Sequence, residues 1–176
     1  MALFIHILGA VTWFSALALT QRGGQQLRKA ESAEHALMWL GILKPTGGMF
    51  AGAGVFLLAT GLYMTSKLWT YTTSWVLTAF ITLILLLALG GGIVGRTMAK
   101  IAGLTAAAPT GPIPAEAKSL IDQQGLWVLI GGLQGAAIGL VWLMTNKPGW
   151  VASIGTIVGL FAVGAVIAMM GLRKSD

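Results

Sequence analysis

The chain has 176 residues, of which 56% are hydrophobic and only 9% charged, with 25 glycines and no cysteine. A water-soluble domain of this length cannot bury so much apolar surface, so lipid is the expected solvent. The net charge of +6 is spread singly between apolar runs and forms no basic patch, which argues against nucleic acid as a partner, and the lack of cysteine excludes disulfides, thiolate metal sites, iron–sulfur clusters and covalently attached haem c.

Five stretches contain no Asp, Glu, Lys or Arg: 1 to 21, 45 to 66, 68 to 95, 123 to 146 and 148 to 172. Each is long enough for a helix of about 20 residues to cross about 30 Å of hydrocarbon. Backbone polar groups without water must bond within their own segment, so the expected fold class is all-α, a polytopic transmembrane helical bundle forming one membrane domain. The five spans are read near 3–20, 46–65, 74–95, 125–145 and 149–171.

The first span lacks a basic segment ahead of it and is followed by positive charge, so it reads as a retained helix despite Ala16-Leu17-Ala18, which mimics a cleavage site. Between the first two spans, Leu27, Ala30, Ala33, Leu37 and Leu40 recur at helical spacing. This predicts a short interfacial helix over about 25–43, ended by Pro45. The segment 96–124 contains Pro109, Pro112 and Pro114 and reads as a cytoplasmic linker closed by a helical stub over 115–124. Thr145-Asn-Lys-Pro-Gly149 is a tight turn that makes the last two spans an antiparallel hairpin.

Lys and Arg divide unevenly across these spans. Arg22, Arg28, Lys29, Lys44, Arg96, Lys100, Lys118, Arg173 and Lys174 fall on one side, and only Lys67 and Lys147 on the other. The richer side is expected in the cytoplasm, which puts the N-terminus outside and the C-terminus inside a bacterial inner (plasma) membrane.

Glycines spaced by four recur at Gly48 and Gly52, Gly91 and Gly95, Gly131, Gly135 and Gly139, and Gly155 and Gly159. Such faces let backbones approach. Either they pack helices within one bundle, or one of them seats another membrane subunit or a flat cofactor.

Few intramembrane side chains could carry chemistry. His6 lies about one turn from the outer end of the first span, where an imidazole can ligate haem iron or copper, hold a quinone oxygen, or simply hydrogen-bond a neighbouring helix. Met64 and Met144 are the thioethers at matching depth, counted inward from the same side, and methionine is also a common core filler. His35 belongs to the opposite side and should not share a metal ion with His6. Gln134 is the other polar group deep inside a span, suited to an interhelical bond or to a cofactor propionate or quinone oxygen. Thr12, Ser15, Thr60, Thr78 and Thr82 can bond to carbonyls of their own helices. No span holds a carboxylate, lysine or arginine, so the usual hardware of proton relays and ion-coupled transport is missing.

Leu3-Phe-Ile-His-Ile-Leu-Gly-Ala-Val-Thr-Trp-Phe-Ser-Ala-Leu17, with His6 followed seven residues later by Trp13, resembles the first helix of a broad group of bacterial membrane proteins. That group contains HemJ-type protoporphyrinogen oxidases, CopD-type copper proteins and an uncharacterised branch, which this chain fits best. Glu34-His-Ala-Leu-Met-Trp-Leu-Gly-Ile-Leu-Lys-Pro45 and Ala59-Thr-Gly-Leu-Tyr-Met64 are similar to the group's second helix. The resemblance covers about the first half of the chain and implies a haem b or copper site at His6, with an electron-transfer or cofactor-handling role. The further histidine-bearing segment and the lysine of the HemJ pattern are missing from these spans, which counts against porphyrinogen oxidation. On these grounds the candidate cofactor residues are His6, Trp13 and Gln134, and the candidate metal ligands His6, Met64 and Met144. The rival expectation is a non-catalytic accessory subunit of a larger membrane complex.

Overall fold

The computed structural model describes residues 1–173, so Lys174, counted above among the basic tail residues, lies outside the described residues. The described residues are helical with no strand, in the order α1 (Ala2–Arg28), α2 (Ala33–Leu68), α3 (Ser74–Leu89), a π-helical turn (Gly90–Gly95), α4 (Arg96–Ala107), α5 (Ala115–Ile121), α6 (Gln124–Asn146) and α7 (Trp150–Arg173). α3, the π turn and α4 run on without a break. Five helices are long and apolar enough to cross a membrane. Large apolar side chains, Leu3, Phe4, Val11, Val55, Phe56, Ile84, Val151 and Val158 among them, are exposed around the bundle. That outward apolar surface suits lipid and would be a liability in water.

Two expectations about the polar interruptions are revised. No separate helix occupies 25–43. α1 continues to Arg28, and α2 begins at Ala33, where the Ser32 hydroxyl accepts from the His35 amide in an N-cap. α2 then passes through Pro45 unbroken. Proline there removes a single donor, the one that would meet the Gly41 carbonyl, and the Thr46 hydroxyl adds a bond to the Leu43 carbonyl at 2.7 Å. The stretch after residue 95 is likewise more ordered than a linker. α4 carries helix to Ala107, and irregular backbone is confined to 108–114 and the short joint at 122–123.

That irregular segment is tied back by Glu34. The Gly111 amide donates to its carboxylate at 3.1 Å, and the Ala33 amide donates to the Gly111 carbonyl at 2.8 Å, with Gly111 held at φ 85. Donation from the Glu34 amide, the Ser32 hydroxyl and the Gly111 amide holds the carboxyl below its ordinary value of 4.5. A lowered folded-state pKa means the tie is complete above pH 4.5 and is lost as pH falls through the lower folded value. The protection of the Gly111 amide, taken relative to its intrinsic exchange rate at each pH, is therefore expected to fall on acidification below pH 4.5, and Glu34→Gln to show that lower protection at neutral pH.

The interior divides into layers along the bundle. At the end bearing Arg28 and Lys100, Leu27, Leu40, Ile101, Ile121 and Trp127 pack together; Trp13, Ala53, Leu83, Leu86 and Ala136 form the middle; Trp75, Val76, Ala79 and Leu143 form the far end. The Trp127 indole donates to the Ile121 carbonyl at 2.6 Å, and the Arg28 guanidinium lies 5.9 Å from its ring, fastening α1 to α6. α6 and α7 form the antiparallel hairpin. Their contact is set by glycine: a Cβ on Gly135 would strike the Leu160 carbonyl, and one on Gly164 the Gly131 carbonyl. The Gly131, Gly135 and Gly139 face is thus filled by α7 of the same chain, whereas Gly48, Gly52, Gly155 and Gly159 have open space around them.

Candidate functional site

His6 enters the bundle on the second turn of α1, facing α2. Its Nδ1 is 2.9 Å from the Thr60 hydroxyl. That hydroxyl has one proton and an acceptor already at 2.5 Å, the Phe56 carbonyl one turn back along α2. With its proton committed there, Thr60 can only accept from His6, so Nδ1 carries the imidazole hydrogen and Nε2 keeps a free lone pair. Helical geometry on α2 places Thr60 about 37 Å from His35, whose Nε2 is in turn engaged by the Trp39 indole at 2.9 Å. The two histidines cannot meet.

A cavity of about 190 Å³ opens beside His6, and Trp13, Met64 and Met144 line it as well. Met64 is one turn beyond Thr60, about 6 Å along α2. Met144 comes from α6, positioned by Leu143, which is fully buried against Trp75, Val76 and Ala79. The loop end is closed by Trp69 and Trp75, whose rings meet edge to face at 5.2 Å, with the Lys147 ammonium 4.9 Å from Trp69. Lys147 adopts a left-handed conformation that ends α6, and the Ser74 and Ser153 hydroxyls donate to the adjacent Pro148 carbonyl. Loops between α2 and α3 and between α6 and α7 are therefore pinned together over the cavity.

The structure thus brings four of the five candidate residues, His6, Trp13, Met64 and Met144, to one cavity, and leaves Gln134 out of it. Gln134 lines a second, larger cavity of about 660 Å³, whose wall Trp13 shares. Thr60, taken from sequence as bonding only to its own helix, is the residue the sequence reading missed, because its role depends on how α1 and α2 are rotated against each other.

Among the described residues, no group of three or more His, Cys, Asp or Glu could hold a metal ion. An ion at His6 would have to draw on the thioethers, which select soft metals, copper(I) above all. The volume discriminates between the two cofactors implied by the resemblance. Pockets for organic ligands run from about 300 to 1,000 Å³, and 190 Å³ is enough for an ion with its ligands but not for a porphyrin. No protein-family model, curated protein or solved structure matches this chain.

Proposed function

We propose that the chain is a five-span protein of a bacterial inner (plasma) membrane, N-terminus outside and C-terminus cytoplasmic, that holds copper(I) near the outer face through His6, Met64 and Met144. The observation that carries this reading is the 2.9 Å contact of His6 Nδ1 with the Thr60 hydroxyl in the wall of the cavity that Met64 and Met144 also line: with Nδ1–H given to Thr60, Nε2 is left as the free donor to a metal. Metal-bound histidines are commonly oriented by such a donated hydrogen bond. Copper bound there would supply one-electron chemistry or leave as cargo, so the role is electron transfer or metal handling. Of haem b and copper, both implied by the resemblance of the first helix, the cavity volume favours copper.

The test is copper content and absorption of the detergent-purified protein after anaerobic copper(I) loading. One equivalent of copper with no Soret band supports the reading, and a Soret band, or copper uptake unchanged in His6→Ala, overturns it. The orientation has its own test, made clean by the absence of cysteine. A cysteine at Thr72 should react with a membrane-impermeant maleimide in intact cells, and one at Ser119 only after permeabilisation.

A second reading, an accessory subunit of a larger complex, is favoured by the open glycine faces at Gly48 and Gly52 and at Gly155 and Gly159. It predicts co-purification with other subunits that survives His6→Ala and is lost in Gly52→Leu.

A further inference from the structure

The larger cavity carries a demand of its own. Its wall is apolar and drawn from α1, α2, α3, the π turn, α4 and α6, yet two of its residues, Trp13 and Gln134, carry buried nitrogens, Nε1 and Nε2, that have no hydrogen-bond partner among the described residues. Trp13 is only 6% exposed. A buried N–H left without an acceptor is costly, more so where lipid rather than water surrounds the bundle. Both groups are donors on different helices, and a guest in the cavity that presents one or two acceptors would satisfy them once the side chains turn toward it.

Shape narrows the guest further. Gly41 and Gly47 on α2 and Gly90 and Gly91 in the π turn line the cavity with open space where a Cβ would be. These four positions without a side chain leave room for a planar group. The π turn itself widens the helix at this level, a rare backbone form that recurs at functional sites. The volume of about 660 Å³ suits an organic ring with the start of a tail. The only charged residue in the wall is the exposed Lys44, which leaves the deep part of the cavity neutral.

We infer that this cavity binds a lipid-soluble quinone, with Trp13 Nε1 and Gln134 Nε2 donating to its carbonyl oxygens and the glycine faces of α2 and the π turn flanking the ring. Ester carbonyls of a phospholipid present the same acceptor chemistry without the planar ring. The inference does not depend on copper at His6: Gln134 is absent from the copper cavity, and Met64 and Met144 are absent from this one.

The test is photolabelling of the detergent-purified protein with a short-tailed isoprenoid benzoquinone carrying a ring azide, with labelled sites mapped by mass spectrometry. Label is expected near Phe50 and Gln134, displaced by unlabelled quinone but not by equal phosphatidylethanolamine. Gln134→Leu is expected to weaken labelling about tenfold, the size of one hydrogen bond. Its thermal midpoint without quinone should equal or exceed that of the parent, because an unsatisfied donor has been removed. Trp13→Phe provides the same labelling readout should the first variant fail to fold. Displacement by phosphatidylethanolamine as effective as by quinone, label scattered over lipid-facing residues, or undiminished labelling in both variants would each overturn the inference.

Discussion

Replacing His6 by alanine is expected to lower copper(I) affinity more than about 100-fold, since it removes the one nitrogen donor of the site. Thr60→Val should cost about tenfold even though Thr60 touches no metal. Valine keeps the shape but withdraws the oxygen that accepts Nδ1–H, freeing the imidazole to swap tautomer and turn Nε2 into a donor. Thr60→Ser keeps the oxygen and should retain the parent affinity. Met64→Leu and Met144→Leu preserve volume and each remove a soft ligand, so each should weaken copper(I) while leaving the melting temperature within a few degrees. A competition titration against a copper(I) chelator reads all five variants. The rank order His6→Ala, then the methionine variants and Thr60→Val, then Thr60→Ser, separates a metal site from a packed core, in which methionine to leucine would be silent.

The second large effect lies in the α6–α7 hairpin. Gly135→Ala should destabilise the protein by about 2–3 kcal/mol, the upper part of the range for overpacking. A Cβ there meets the Leu160 backbone carbonyl, which cannot rotate away as a side chain would. Gly164→Ala faces the Gly131 carbonyl and should behave alike. Gly155→Ala is the control on the same pair of helices: with nothing near its Cβ, it should be neutral or stabilise by about 0.5–1 kcal/mol through reduced backbone freedom. Thermal unfolding followed by circular dichroism in one detergent distinguishes them. Equal effects at Gly135 and Gly155 would mean that the two helices do not meet along the face described.

Much of this architecture is legible in the sequence because lipid imposes a simple rule: charge is excluded wherever a helix crosses. Charge-free stretches therefore mark the five helices, and Pro148-Gly149 marks the hairpin. Counting turns inward from one side puts Met64 and Met144 at the depth of His6, and all three line one cavity. What depth alone cannot supply is rotation about each helix axis. Thr60 meeting His6, the Gly131 face turning to α7, and Gln134 turning to a cavity shared with Trp13 all depend on that rotation. Pro45 misleads for a different reason. In a long apolar helix one absent donor is tolerated, and α2 continues past the exposed Pro45 where a short soluble helix would break. The continuation of the third span into α4 is hidden because Arg96 and Lys100 end the charge-free stretch and three prolines follow, so charge marks where the span ends and not where the helix does.

Trp13 links the two cavities, lying in the wall of both. Its ring packs edge to face on Phe50 at 5.1 Å, which fixes the indole in place between α1 and α2. A copper ion on one side and a quinone on the other would therefore be separated by a single aromatic side chain.

Copper K-edge X-ray absorption of the copper(I)-loaded protein tests the central claim most directly. One imidazole nitrogen and two thioether sulfurs are expected, with the nitrogen shell lost in His6→Ala and one sulfur lost in each methionine variant. A first shell of nitrogen and oxygen alone, or a spectrum that His6→Ala leaves unchanged, would contradict it.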